Sequence, residues 1–148
     1  AIAVSYIEKP DSNQAVGVKS TLLQLCRIFR ELQNIDGKFS LRQWIRQDGS
    51  EFLFLPVPPE FRELLAPAYG AAINMMIREL LSLADDLCRR RFFILDELGA
   101  LQRLSALVDA LTLGRSKGMS IFIGVQDFGR IDDLYGKSVR ETLWNNST

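Results

Sequence analysis

The stretch from Arg89 to Leu101, "RRRFFILDELGAL", decides how this chain is read. Four apolar residues, Phe92, Phe93, Ile94 and Leu95, run directly into two carboxylates, Asp96 and Glu97. A short, uniformly apolar run rich in aromatic and β-branched residues predicts a strand buried in a sheet. Acids at its carboxyl end stand where open α/β sheets bind ligands. Two readings of the pair are open from the residues alone. Either it caps the turn that follows and faces solvent, or Asp96 sits at the rim of the core, where a carboxylate is costly without a metal or a cation. Small residues, Gly99 and Ala100, follow at once and leave space for a ligand. The next apolar run, "IFIGV" at 121–125, also ends in a polar residue, Gln126, so two strand ends carry polar groups.

Working outward, helical and extended patterns alternate. Val18 to Leu32 places Leu22, Leu25, Cys26, Phe29 and Leu32 on one face at helical spacing, with that face expected in the core. Ser40 is placed to cap a short helix, "LRQWIRQ", and "EFLFLPV" at 51–57 is a strand candidate after the Asp48-Gly49 turn. A long helix fits Pro59 to about Leu83, with Pro67 expected to kink or split it. Beyond the quoted stretch come a helix carrying Leu101, Leu104, Leu107, Val108 and Leu111, then a strand, "MSIFIGVQ". Two short helices broken at Tyr135-Gly136 complete the pattern. Apolar strands separated by helices predict an α/β fold with a parallel sheet covered on both faces.

Composition limits the chemistry. At 148 residues and 47% hydrophobic, the chain fits one domain of about 100–200 residues. Lys plus Arg and Asp plus Glu each total 18, so any contact with nucleic acid must come from a local patch. The absence of histidine excludes His-based triads and most zinc sites. Cys26 and Cys88 form no CxxC and are expected to be reduced, buried thiols. No apolar run approaches the roughly 20 residues that cross a bilayer. The ends, Ala1 without an initiator methionine and "WNNST" after a helical pattern, suggest a fragment of a longer protein.

The chemistry that suits two polar strand ends is nucleoside triphosphate hydrolysis. An acid after four apolar residues can hold the water shell of Mg²⁺, a neighbouring glutamate can polarise the attacking water, and an amide can sense the γ-phosphate. Such catalysis also needs a phosphate cradle. "VGVKST" at Val16 to Thr21 imitates one, but Val18 separates Gly17 from Lys19 and Ser12 stands where the loop's first glycine belongs. Gly136-Lys137-Ser138 lacks that glycine too. A phosphate loop is therefore expected outside this sequence.

Residues 92–136 resemble the C-terminal half of the RecA-like nucleotide-binding domain of type IV secretion coupling proteins, the TraD-like ATPases of bacterial conjugation. The matching features are the strand ending in Asp96-Glu97, "GRSKG" at 114–118, "GVQ" at 124–126 and "LYG" at 134–136. "SLRQWI" and the stretch from Phe52 to Leu83 are similar to the same family in order and spacing.

The resemblance implies a P-loop NTPase sheet, parallel with helices on both faces, present as a partial domain lacking the phosphate-loop strand. Residues 18–148 would be the C-terminal part of that domain. Residues 1–17 would be a linker, or the exit from an inserted all-helical domain. The implied protein is a hexameric inner-membrane motor, its domain cytoplasmic, that uses ATP and Mg²⁺ to move relaxase-bound single-stranded DNA into a secretion channel. Asp96 and Glu97 match the Walker B acids, Asp96 reaching Mg²⁺ through water. Gln126 matches the γ-phosphate sensor, and Arg115 matches an arginine offered to the neighbouring subunit. An arginine supplied in trans is worth about 10³–10⁵ in rate, whereas the residues alone make Arg115 a solvated arginine at a helix end.

Without a phosphate loop this stretch is expected to hold no nucleotide tightly and to hydrolyse essentially none. Lys117 and Arg130, near strand-end loops, are candidate DNA or subunit contacts. Arg89-Arg90-Arg91 is expected to be a solvated loop. Trp44, Trp144 and Phe54 are expected in the core. A non-catalytic docking module with a degenerate nucleotide fold, binding relaxosome or secretion-channel proteins, is the competing reading.

Overall fold

The computed structural model describes Val16, Gly17, Lys19, Ser20, Leu22, Leu23, Cys26 and residues 37–146. The chain divides into two units, residues 1–36 and 37–148. In the first, the described residues are helical and exposed, Leu22 and Cys26 included. The described residues therefore cover neither of these two members of the expected apolar face. Gly17, Lys19 and Ser20 lie in helix rather than in a phosphate-cradling loop. The rest of the predicted helix, and the proposed linker up to residue 15, fall outside the described residues.

The second unit opens at Ser40, whose hydroxyl accepts the Gln43 N–H at 3.3 Å and starts α1 (Leu41–Arg46) as expected. A 3₁₀ turn at Pro59–Phe61 leads into α2 (Arg62–Leu81). Pro67 neither splits nor ends α2. It falls in the second turn, where the acceptor that loses its partner belongs to exposed Glu63 and solvent can satisfy it. Glu79 on α2 ties the two helices by pairing with Arg42 at 3.2 Å and with Arg46.

β1 (Arg91–Leu95) runs parallel to β2 (Met119–Ile123), with Arg91 opposite Met119 and Leu95 opposite Ile123. The crossover holds α3 (Leu107–Leu113), flanked by 3₁₀ turns at Leu98–Ala100 and Gly114–Lys117. α4 (Phe128–Tyr135) and α5 (Lys137–Asn145) follow, broken at Gly136 as the sequence predicts. Ile77 and Leu80 of α2, Leu98, Leu104, Leu107 of α3 and Ile131 of α4 are fully buried and join these elements in one core.

Three expectations are corrected. Residues 51–57 are not a strand: among the described residues no neighbour offers a hydrogen-bond ladder, and an unpaired strand leaves its backbone groups to water. The alternation survives, with Leu53 and Leu55 against the core while Phe52 and Phe54 stack in solvent at 6.2 Å. Phe54 and Trp144 are therefore surface aromatics, whereas Trp44 does pack on the core. Cys88 is exposed rather than buried, because it sits in the turn before β1, where its N–H donates to Asp86 at 2.9 Å.

The described residues cover one face of the sheet. Phe93 and Leu95 point into the core, while Phe92 is 61% exposed, Ile94 72% and Phe122 57%. Phe92 and Phe122 meet on that open face at 6.3 Å.

Tyr135 is buried, and its hydroxyl accepts the Leu104 N–H at 2.9 Å. Burial raises its pKa above the usual 10.0, a rise that the Leu104 hydrogen bond and the Arg103 charge offset in part. The folded state favours the neutral phenol, so the stability it contributes is complete below about pH 10 and is lost as pH rises through the raised value. Tyr135→Phe, which leaves a buried N–H unpaired, should cost about 1–3 kcal/mol and remove that alkaline loss, measured by urea unfolding across pH. Phe93→Ala should cost about 3–5 kcal/mol and Phe122→Ser under about 0.5, read from the same unfolding curves.

Candidate functional site

Pairing continues one step beyond the strands. Gly124 donates its N–H to Leu95 O at 2.8 Å and accepts the Leu98 N–H at 3.0 Å, so the chain leaving β1 wraps closely around it. A Cβ on Gly124 would collide with the carbonyl oxygen of Asp96. This close backbone approach fixes where Asp96 stands relative to the end of β2.

At this end of the sheet the structure follows the first reading of the acid pair: Glu97 caps the turn, and Asp96, offered as a carboxylate at the rim of the core, faces solvent. Glu97 is half-buried and its Oε1 accepts the Gly99 N–H at 2.9 Å, capping the Leu98–Ala100 turn. Asp96 is exposed and has no side-chain partner among the described residues. Gln126 is exposed just beyond β2, and Asp127 next to it accepts the Gly129 N–H at 2.8 Å to open α4.

The structure thus gathers Asp96, Glu97 and Gln126 at the carboxyl end of the sheet. No cluster of three or more His, Cys, Asp or Glu side chains able to hold a metal occurs among the described residues. One open carboxylate with space around it fits Mg²⁺ held through its waters and a substrate phosphate, the ion's usual mode, and does not fit an all-protein cage.

Arg115 lies at the other end. It precedes β2, and a strand of five residues spans roughly 16 Å, longer than an arginine side chain, so Arg115 cannot reach the acid pair of its own chain. Its neighbours are bound to the turn before β1. Lys117 Nζ donates to Leu83 O at 2.6 Å and pairs with Asp85 at 2.7 Å, while the Ser116 hydroxyl donates to Asp85 at 3.1 Å. The hydrogen bond from Lys117, then that from Ser116, then the charge of Lys117, hold the Asp85 carboxyl below its usual 3.8. This contribution is present above the ordinary carboxylate range and fades only as pH falls through the lowered value.

Gly118 has φ +71°, and a Cβ there would strike the Arg89 carbonyl. Lys117, offered by the sequence as a DNA or subunit contact, is thus committed inside the fold. Arg115 is exposed, and its guanidinium has no partner among the described residues. Of the arginine run expected to be a solvated loop, Arg90 is exposed but Arg89 and Arg91 are not. Arg89 reaches Ala84 O and Lys117 O, each at 3.2 Å, and Arg91 donates to the last carbonyls of α1 at Ile45 and Gln47.

Residues 1–148 match the family described as the type IV secretion-system coupling protein DNA-binding domain. The chain belongs to that family. It is 27% identical to the coupling protein TraD of Escherichia coli (strain K12) over 150 residues, 97% of this chain and 21% of TraD. It is also similar to solved structures of the conjugative coupling protein TrwB, with a TM-score of 0.75 and 29% identity over 91% of this chain. One of these is the plasmid coupling protein TrwB in complex with ADP and Mg²⁺, another the same protein with a non-hydrolysable GTP analogue.

The chain spans about a fifth of TraD and a third of the TrwB chains. Its fold is a partial α/β nucleotide-binding domain of the RecA-like kind, as the coupling-protein resemblance implies. Sequence reading had Gly124 only as part of "GVQ" and missed its close backbone approach, although a glycine inside the apolar run "IFIGV" is the kind of signal that marks one. Gly124→Ala should lower stability by about 1–3 kcal/mol through overpacking. Its unfolding midpoint should drop well below that of Gly129→Ala, an exposed helical position.

Proposed function

We propose that this chain is part of an ATP-driven DNA translocase that couples relaxase-bound single-stranded DNA to a type IV secretion channel in conjugation. The observation that supports it best is the open carboxylate of Asp96, whose backbone lies against Gly124, at the same carboxyl end of a parallel sheet as Glu97 and Gln126. Residues 18–148 serve as the C-terminal part of the nucleotide-binding domain, entered through residues 1–17. The whole protein works as a hexamer at the inner membrane; no helix among the described residues is long and apolar enough to cross one.

In this reading Asp96 holds the water shell of Mg²⁺, whose charge offsets that of the phosphates. Glu97 uses one oxygen to cap Gly99 and keeps the other for the attacking water, so its orientation is set before substrate arrives. Gln126 donates an amide N–H to a terminal phosphate oxygen. Arg115, too far from its own acid pair, serves the adjoining subunit's site. Lacking a phosphate loop, residues 1–148 alone bind nucleotide weakly and turn none over.

DNA-stimulated ATP hydrolysis by the full-length natural protein tests this. Glu97→Gln should lower the rate about 10²–10⁴-fold with nucleotide binding kept. Equal rates, or none in either protein, would leave a docking module with an ATPase's outline. Arg115→Ala should lower the rate at least about 10³-fold. Mixing it with Glu97→Gln should restore part of the activity, since each variant supplies what the other lacks; no recovery in mixed rings would refute action in trans.

A further inference from the structure

We infer that Arg130 belongs to the nucleotide site, as a cation supplied by the same chain to the terminal phosphate, and not to a DNA path. The inference rests on the nucleotide-site reading of Asp96 and Glu97. Arg130 lies in the first turn of α4, directly after the Gln126-Asp127 strand end. Its stem crosses the capped turn that holds Glu97: an ideal Cβ on Gly99 would sit 2.9 Å from Glu97 Oε1 and 3.1 Å from Arg130 Cδ. The glutamate and the arginine therefore flank one glycine, and Gly99 is the residue that lets both side chains approach.

Structural duties do not account for this placement. Arg130 is exposed and makes no ion pair or hydrogen bond through its guanidinium among the described residues, unlike Arg89, Arg91 and Arg140, which are all paired. A cation in the first turn of a helix opposes the helix dipole and gains nothing from it. What the site lacks is positive charge. Asp96, Glu97 and Asp127 bring three carboxylates to this end of the sheet, and a nucleoside triphosphate with Mg²⁺ adds further negative charge. Arg130 is the cation that stands against the acid pair's own turn, and its planar fork suits a phosphate oxygen pair. With Arg115 at the far end of the sheet, each composite site then receives two arginines, Arg130 from its own chain and Arg115 from the next.

The test compares full-length wild-type protein with Arg130→Ala and Arg130→Lys, measuring affinity for ADP, for a non-hydrolysable ATP analogue, and for single-stranded DNA across a salt series. Arg130→Ala should weaken the ATP analogue about ten- to a hundredfold while ADP affinity stays within about twofold. Arg130→Lys should recover part of the loss, and DNA affinity and its salt slope should not change. A salt slope reduced by about one phosphate contact in Arg130→Ala, with ATP-analogue affinity intact, would assign the residue to DNA and overturn the inference.

Equal losses of ADP and ATP analogue would also overturn it, since they report damage to the fold and not loss of a γ-phosphate contact. Gly99→Ala gives a second handle that leaves the charge in place. The added methyl should displace Arg130 and Glu97, and the same selective loss of ATP-analogue affinity is expected; unchanged affinity would count against the placement. If wild-type protein binds neither nucleotide, the nucleotide-site reading fails together with this inference. If wild type binds and hydrolyses ATP and Arg130→Ala does so equally, this inference fails alone.

Discussion

The contact on which the site depends is backbone against backbone. Gly124 sits so close to the carbonyl of Asp96 that no side chain fits between them, and its two hydrogen bonds, to Leu95 O and from Leu98 N, extend the parallel ladder past the strands. A carboxylate on an ordinary loop would sample many positions, and fixing it would cost conformational entropy when a ligand arrives. Here folding has already ordered the backbone that carries it. Leu98, fully buried two residues after Asp96, anchors the other side of the turn. Glu97 between them is held by its bond to Gly99, so the acid pair is placed by one glycine, one leucine and one cap.

The two ends of the sheet divide the work. At the amino end, Ser116 and Lys117 are fastened to Asp85 and Leu83, Gly118 takes a left-handed conformation against Arg89, and Arg91 closes the end of α1. This is a structural latch in which Arg115 is the member left facing solvent. At the carboxyl end the polar groups are open, and Arg130 stands beside them. A motif such as "GRSKG" thus holds residues of opposite character, since Ser116, Lys117 and Gly118 fasten a turn while the Arg115 side chain faces solvent.

A parallel sheet is normally covered on both faces. The described residues bury Phe93 and Leu95 and leave Phe92, Ile94 and Phe122 in solvent, an uncovered face that accords with a chain spanning about a third of its structural relatives. The same holds for residues 51–57, which keep a strand's alternation of buried and exposed side chains without a strand beside them. In both places the residue types suit a sheet, and among the described residues the sheet consists of β1 and β2.

The amino-acid sequence by itself determined the parts of this protein that depend on short-range pattern. Apolar runs ending in Asp96 and Gln126 marked strands and the polar residues just beyond them, Ser40 marked a cap, and Tyr135-Gly136 marked a break between helices. In each case the physical cause lies within a few residues of the signal. Tertiary structure alone decided what depends on distant partners. Lys117 turned inward because Asp85 and Leu83 O stand opposite it, and Pro67 was accommodated because the acceptor it leaves without a partner belongs to exposed Glu63. Residues 51–57 stayed irregular for want of a neighbour to pair with, and Arg130 came to lie over Gly99 because α4 packs on the turn after β1. Periodicity records which side of an element is apolar; which groups meet across the fold is set by packing and hydrogen bonding between segments tens of residues apart.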